Sequence, residues 1–120
     1  MLIGVGTDMV EVERVERAVR KPSFVRMCFT DREWRQLAGK EPQSAAAAFA
    51  GKEAAAKALG SGFRGFGPRD IEILRDGLGK PSIELHGRAA ELAAELGIRG
   101  MHVSLTHSRL YAMAFVVAEG

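Results

Sequence analysis

Cysteine, tryptophan and tyrosine are scarce in this chain of 120 residues, which contains one of each. The single cysteine, Cys28, excludes an internal disulfide and leaves no thiolate cluster to hold zinc. The three histidines share no i to i+4 spacing, which removes another common zinc pattern. We therefore expect Cys28 to be a structural thiol and the protein to work in a reducing, intracellular setting.

Long apolar runs are also missing. No stretch approaches the roughly 20 residues that cross a bilayer, and the first residues lack the basic region followed by an apolar one that marks a secretory signal. With 47% hydrophobic residues, the chain is long enough for one domain with a real core and too short for two. These features predict a soluble, cytoplasmic protein with a single domain, residues 1–120, and no membrane partner.

Aromatic residues make up only 7% of the chain, and no zinc-finger, homeodomain or aromatic-sheet signature is present. Nucleic acid is therefore a poor candidate for a partner, and we expect none. The net charge is +2, from 17 Lys and Arg against 15 Asp and Glu. On electrostatic grounds an acidic protein fits this charge as well as nucleic acid does.

The distribution of the positive charge is more informative than its sum. Within residues 11–21, Val12, Val15 and Val19 follow the i, i+3, i+7 spacing of one helix face. The opposite face carries a basic ridge, which we define as Arg14, Arg17, Lys21 and, just beyond the helix, Arg26. Such a ridge is either a solvated face, partly offset by neighbouring glutamates, or a docking surface for an acidic partner.

The most informative stretch is an alanine-rich helix predicted over residues 45–59, in which Lys52, Glu53 and Lys57 are the only charges. The other positions are apolar on every side, which indicates that much of the helix is buried. Glu53 and Lys57 are four residues apart and so share a face. They form either a surface salt bridge contributing about 0.2–0.5 kcal/mol, or a carboxylate and ammonium pair suited to metal-assisted phosphate chemistry.

A second signal lies near the first residue. Residues 2–8 (LIGVGTD) predict a short buried strand that ends at Asp8 and leads directly into a helix. Asp8 then has two interpretations. It caps the following helix, or it is a ligand at a strand end, where open sheets commonly bind ligands and where Mg²⁺ takes one or two carboxylates with phosphate oxygens.

The remaining pattern predicts an α+β fold, with a largely antiparallel sheet packed against the alanine-rich helix and smaller helices. Thr30 or Asp31 can cap a short helix that runs through about residue 38. A polar loop, residues 40–44, then precedes the alanine-rich helix. Gly60 and Gly62 should end that helix.

Two hairpins are predicted in the second half of the chain. The first spans residues 71–85, with Lys80 projecting from its turn. The second runs over 101–106 and returns as 112–117, and His107 lies at its turn end, where it is either exposed polar surface or functional. The continuously apolar return strand should be covered on both faces, by this chain or by another copy.

Four separated segments resemble one family. They are residues 4–14 (GVGTDMVEVER), 49–60 (FAGKEAAAKALG), 79–81 (GKP) and 102–107 (HVSLTH). In this order and at this spacing they resemble holo-acyl-carrier-protein synthase, the short type of 4′-phosphopantetheinyl transferase. The helix with its lysine and glutamate, together with the aspartate near the first residue, is the specific part of the match.

The resemblance implies a 4′-phosphopantetheinyl transferase fold and activity. Such enzymes cleave the pyrophosphate of coenzyme A and place its 4′-phosphopantetheine arm on a serine of apo-acyl carrier protein, releasing adenosine 3′,5′-bisphosphate. Asp8 and Glu53 fall on the two Mg²⁺ carboxylates of the family. Lys57 falls on the lysine that neutralises phosphate and assists proton transfer to the leaving group, and Arg14 falls on the basic position that meets the carrier protein.

The resemblance also implies a homotrimer with coenzyme A held between adjacent subunits. Lys80, Pro81 and His107 are then expected to contact nucleotide bound mainly by a neighbour. Two positions depart from the family pattern: Ala48 stands where relatives commonly have arginine, and Ser108 stands where many have an acidic residue. The base that accepts the serine proton stays open.

Two other kinds of function remain possible for the same residues. A Mg²⁺-dependent nucleotide pyrophosphate hydrolase would use the same carboxylates and would need no protein acceptor. A non-catalytic module would use only the basic ridge, to bind an acidic protein.

Overall fold

A long alanine-rich helix packs across a three-stranded sheet in the computed structural model, which describes residues 1–120. The helices and strands follow the chain in this order: β1 (Leu2–Glu11), α1 (Val12–Ala18), α2 (Pro22–Cys28), α3 (Asp31–Leu37), α4 (Pro42–Ala58), β2 (Ile71–Arg75), β3 (Pro81–Leu85), α5 (Gly87–Glu95), β4 (Gly100–His107) and β5 (Tyr111–Glu119). A short 3₁₀ turn, Pro68–Asp70, precedes β2. None of the helices is both long and apolar enough to span a membrane.

The strands form two sheets, and all their pairings are antiparallel. The larger sheet has the order β1-β5-β4, and the smaller one consists of β2 and β3. The predicted α+β class and both predicted hairpins are confirmed. The single sheet that the sequence suggested is divided in two.

Strand β1 is longer and more exposed than predicted. It pairs with β5 from Leu2 to Glu11, so Asp8 lies within the strand, opposite Ala114, and not at its end. Helix α1 begins only after Glu11, and no side chain caps it. The interpretation of Asp8 as a helix cap is therefore wrong, because backbone pairing with β5 carries the strand past it.

Two glycines let β1 lie directly against α4. A Cβ atom on Gly4 would lie 2.0 Å from the carbonyl oxygen of Ala58, and one on Gly6 would lie 1.9 Å from that of Ala54. These distances leave no room for any side chain. The close approach brings Asp8, two residues after Gly6, beside the second half of α4.

Helix α4 starts at Pro42, three residues earlier than predicted, because proline is well suited to the first helical position. The predicted polar loop is correspondingly shorter. Most of the 17 residues in α4 are buried, which confirms the burial expected from its composition. Gly60, with a φ of 80°, follows the end of the helix as predicted.

The basic ridge spans two helices instead of one. Helix α1 ends at Ala18, and α2 begins at Pro22, whose ring restricts the preceding residue to extended backbone. Lys21 is that preceding residue and forms the N-cap of α2. Val12 and Val15 are buried as predicted, and all four ridge residues are exposed.

Strand β5 is covered on one face only within a single chain. Its alternate residues Ala112, Ala114, Val116 and Ala118 are buried under α4, whereas the intervening Tyr111, Met113 and Phe115 are 44%, 43% and 49% exposed. Val5 and Met9 of the neighbouring β1 are also exposed, at 56% and 59%. This chain by itself therefore covers only one of the two faces of the strand.

Candidate active site

Asp8 and Lys57 contact each other where β1 crosses α4. The Lys57 ammonium donates to Asp8 Oδ1 at 3.1 Å and to the carbonyl oxygen of Thr7 at 3.0 Å. Asp8 is largely buried, with 18% of its side chain exposed, whereas Lys57 is 54% exposed. The salt bridge considered between Glu53 and Lys57 is therefore wrong, since the carboxylate that binds Lys57 comes from β1.

Glu53 and Asp8 line the same cavity, which has a volume of about 430 Å³. Phe24 and Phe49 contribute apolar surface to it, and Arg14 of the basic ridge also lines it. The cavity therefore joins the carboxylates of Asp8 and Glu53 to an apolar wall and to the start of the basic ridge. The alanine-rich helix and the first strand, which the sequence singled out separately, meet here.

The two carboxylates influence each other electrostatically. Partial burial raises the pKa of Glu53, the nearby charge of Asp8 raises it further, and the Lys57 ammonium partly opposes both effects. Two carboxylates in a partly dehydrated cavity favour a neutralising cation. Oxygen donors of this kind suit Mg²⁺, which takes one or two protein carboxylates and completes its shell with water or phosphate oxygens. The residues present thus fit a hard divalent cation.

A second charged network, which the sequence patterns did not predict, begins at Lys52, the residue before Glu53. Lys52 and Glu33 have fully buried side chains and form an ion pair at 2.7 Å. Burial lowers the pKa of Lys52, and the charge and hydrogen bond of Glu33 counteract that effect. The sequence contained one signal of this pair, since Lys52 stands among alanines on a helix predicted to be buried. A charge in such a place requires a partner.

A third polar cluster lies on the β2–β3 hairpin and the residue that follows it. Side-chain ligand atoms of Glu72, Glu84 and His86 lie within 4.8 Å of one another, an arrangement compatible with a metal ion. Arg32 already binds both carboxylates, at 2.6 Å and 3.0 Å, and the Thr30 hydroxyl donates to Glu72. Because the guanidinium supplies the positive charge, we assign this cluster a structural role and no metal.

Glu72 makes the folded state sensitive to acid. Burial alone would raise the pKa of Glu72, but hydrogen bonds from Arg32, Thr30 and His86 lower it to about 2. The unfolded chain binds this proton near the ordinary value of 4.5, so the stabilisation is present above that pH and is lost as pH falls toward 2. In the wild-type protein, this carboxylate should account for a fall of up to about 3 kcal/mol in the free energy of unfolding over this pH window. We expect Glu72→Gln to remove that part of the fall. Urea titrations at several pH values test it, and equal slopes for both proteins would contradict it.

Three residues that the resemblance placed on the nucleotide lie away from the cavity in a single chain. Lys80 and Pro81 are on the β2–β3 hairpin, and His107 ends β4; none of the three lines the cavity. Lys80 and His107 are exposed. Within one chain the structure therefore brings together Asp8, Glu53 and Lys57 and does not bring the other three to them.

Two departures from the family pattern have distinct surroundings. Ala48 is buried against Cys28 and Phe29, facing the interior of the protein. Ser108 is exposed in the β4–β5 turn, where its hydroxyl accepts a hydrogen bond from the backbone N–H of Tyr111 at 3.2 Å. Ser108 therefore has a turn-forming role, as serine often has in such positions.

Comparisons of sequence and of fold with known proteins identify relatives of one kind. A family model described as the 4′-phosphopantetheinyl transferase superfamily matches residues 4–116. The chain is 44% identical to a holo-[acyl-carrier-protein] synthase of Clostridium novyi, over 99% of this chain and 88% of that protein. Its fold is similar to the crystal structure of the Neisseria meningitidis holo-[acyl-carrier-protein] synthase, with a TM-score of 0.89, 36% identity and full coverage of both chains. The Helicobacter pylori enzyme, solved in complex with coenzyme A, gives a TM-score of 0.85 at 30% identity, over 96% of this chain and 99% of that one.

Proposed function

The chain belongs to the 4′-phosphopantetheinyl transferase superfamily, and we propose that it transfers 4′-phosphopantetheine from coenzyme A to a serine of apo-acyl carrier protein. The observation that carries this proposal is the single cavity lined by Asp8, Glu53 and Arg14, with Lys57 bound to Asp8. Relatives that are named for this activity, and a relative that binds coenzyme A, support the same reaction.

Asp8 and Glu53 are the residues that would hold Mg²⁺ in this chain. When bound, the ion would neutralise charge on the pyrophosphate of coenzyme A, which is the main requirement of phosphoryl-type transfer. Asp8 is held in place by Lys57, and Glu53 is fixed on the long helix α4. These supports keep both carboxylates aimed into the cavity, which limits the reorganisation needed when a cation and substrate enter.

We infer that Lys57 acts on the phosphate. Its ammonium is half-exposed and makes only two hydrogen bonds, to Asp8 and Thr7, so one N–H remains free for a phosphate oxygen. In the reaction the serine hydroxyl of the carrier gives its proton to a base and its oxygen bonds to phosphorus, as the bond from phosphorus to the adenosine 3′,5′-bisphosphate oxygen breaks. Lys57 would stabilise negative charge on that departing oxygen and can donate a proton to it.

The assembly that we propose is a homotrimer with active sites between subunits. The exposed apolar residues of β1 and β5 provide a surface that a second copy would cover, because contiguous apolar patches on a protein surface commonly mark interaction sites. In such an assembly Lys80, Pro81 and His107 of one subunit would contact nucleotide bound mainly at the Asp8 and Glu53 cavity of its neighbour. Sedimentation equilibrium gives the number of subunits directly.

Mass spectrometry of a carrier protein tests the proposed reaction. Incubation of the protein with coenzyme A, Mg²⁺ and an apo-acyl carrier protein should add about 340 Da to the carrier, the mass of the transferred group. The gain should disappear when a chelator removes the divalent cation. Release of adenosine bisphosphate without a carrier would favour a hydrolase instead, and no added mass on any carrier protein would overturn the transferase.

Substitution Arg14→Glu tests the carrier-binding role of the basic ridge. Arg14 is exposed at the edge of the cavity, so reversing its charge should repel an acidic carrier without disturbing the fold. We expect KM for the carrier to rise at least tenfold, with kcat changed by less than about threefold. Initial rates at several carrier concentrations measure both.

Arg99→Glu is the matched control for Arg14→Glu, because it makes the same charge change at an exposed arginine outside the ridge. It should leave KM for the carrier unchanged. A rise in KM for coenzyme A in Arg14→Glu, with KM for the carrier unaltered, would show that Arg14 serves the other substrate.

A further inference from the structure

We propose that the buried pair of Lys52 and Glu33 is a positioning device, which sets the rotation of α4 so that Glu53 can share a cation with Asp8. This inference rests on the proposed function, since it concerns the geometry of Glu53 as a metal ligand. Lys52 and Glu33 do not line the cavity. They would act through Glu53, the next residue along the helix.

The Lys52 ammonium is bound on all sides. It donates to Glu33 at 2.8 Å, to the carbonyl oxygen of Pro68 at 3.0 Å and to that of Ile71 at 2.5 Å. An ammonium has three N–H groups, so these partners use all of them. They belong to three separate segments: α3, the 3₁₀ turn and the start of β2. Rotation of α4 would break at least one of these buried bonds.

Glu33 is fixed equally well from the other side. Its carboxylate accepts hydrogen bonds from the backbone N–H groups of Thr30 and Ile73, both at 2.8 Å, in addition to the bond from Lys52. Gln36, one turn further along α3, bonds the N–H and the carbonyl oxygen of Arg75 at 2.9 Å and 3.0 Å. Helix α3 thus covers the free edge of β2 with side chains, and it provides a rigid anchor for Lys52.

Elsewhere along α4, few buried directional contacts set its rotation. The surface of α4 that meets β1 contains backbone and alanine methyl groups, against Gly4 and Gly6 of the strand, and the half-exposed Lys57, which bonds Asp8 and the carbonyl oxygen of Thr7. Small apolar contacts of this kind are non-directional and have few interdigitating side chains. The hydrogen bonds of Lys52 are directional, and consecutive residues of a helix are related by a fixed rotation of about 100°. The direction of Glu53 is therefore set chiefly by the buried bonds that Lys52 makes.

A contribution to stability alone does not account for this pair. Removing two charges from water is costly, and well-packed apolar or neutral replacements of both partners are often as stable as the ion pair or more so. A cation site, by contrast, needs its ligands held to within about 0.5 Å. The pair is therefore expected to matter for the geometry at Glu53 more than for the free energy of unfolding.

The double variant Lys52→Met/Glu33→Gln separates these two roles. It removes both buried charges while keeping the side-chain lengths, and the glutamine oxygen can still accept from the N–H of Ile73. Binding of Mn²⁺ is measured by electron paramagnetic resonance in the presence of coenzyme A and without carrier protein, so the readout does not depend on turnover. We expect the melting temperature to stay within a few degrees of wild type and Mn²⁺ affinity to fall at least tenfold.

Glu72→Gln is the control for an altered buried carboxylate. Glu72, like Glu33, has a buried side chain, and it is bound by Arg32 of α3 and by Thr30, the N-cap of that helix, but it makes no hydrogen bond to α4. We expect its Mn²⁺ affinity to equal that of wild type even where its stability is lower. If the double variant does not fold, Glu33→Asp replaces it, because the shorter carboxylate displaces Lys52 and should weaken Mn²⁺ binding at least threefold.

The outcomes distinguish this proposal from the proposed function. A folded double variant, or Glu33→Asp, that binds Mn²⁺ as tightly as wild type would overturn the positioning role and leave the metal assignment intact. Equal weakening in Glu72→Gln would also overturn it, because any loss of stability would then have the same effect. A wild-type protein that binds no Mn²⁺ with coenzyme A would overturn the metal assignment itself, and the positioning role with it.

Discussion

Asp8→Asn and Glu53→Gln are each expected to lower kcat/KM for phosphopantetheine transfer by at least about 10³-fold, which corresponds to about 4 kcal/mol of transition-state stabilisation. Both substitutions are nearly isosteric and remove one negative charge from the cavity that the two residues line. A cation that has lost one of its two protein carboxylates would be bound weakly, and the pyrophosphate charge would then lack its main counterion.

The double variant Asp8→Asn/Glu53→Gln gives a sharper test than either single change. Because both carboxylates are proposed to hold one ion, losing the second after the first should cost little more, so the effects should be far from additive. Glu11→Gln is the matched control, since Glu11 also lines the cavity and carries the same charge. It should retain activity within about threefold of wild type.

Activity near that of wild type in the folded double variant would contradict the assignment of both residues as metal ligands. Thermal melts of each variant must accompany the kinetics, because Asp8 is also paired with Lys57. An exposed lysine contributes little through such a pair, so we expect Asp8→Asn to change the free energy of unfolding by less than about 1 kcal/mol.

Gly6→Ala is expected to have the largest effect on folding. A methyl group at this position would lie 1.9 Å from the carbonyl oxygen of Ala54 and 2.8 Å from the backbone nitrogen of Ala58. Both are backbone atoms of α4, so no side chain can turn aside to make room. The strand must move away from the helix, and we expect the free energy of unfolding to fall by about 3 kcal/mol or more. Chemical denaturation measures this loss directly.

Gly77→Ala is the control for Gly6→Ala. A Cβ atom on Gly77 would have no neighbour within 4 Å, so its substitution should change stability by less than about 1 kcal/mol. Wild-type stability in Gly6→Ala would show that β1 does not lie against α4 as closely as described. Any folded fraction of Gly6→Ala should also lose transfer activity, because the displaced strand carries Asp8 away from Glu53.

Local patterns in the sequence predicted most of the helices and strands. The alanine-rich helix, the Thr30 cap and both hairpins depend on residues within a few positions of one another, and they lie where the patterns placed them. The predictions failed where a distant segment intervened. Pairing with β5 extended β1 past Asp8 to Glu11, so the helix that the valine spacing suggested from residue 11 begins only at Val12.

At the candidate site, too, the sequence predicted some features and distant contacts decided the others. The sequence by itself, through the residues that resemble a known family, predicted which side chains form the site: Asp8, Glu53 and Lys57. It did not determine their partners, since Lys57 binds an aspartate 49 positions away and Lys52 binds a glutamate 19 positions away. Only the tertiary structure decided these pairs, because the packing of β1 and α3 against α4 sets which charges meet, and no local spacing encodes that packing.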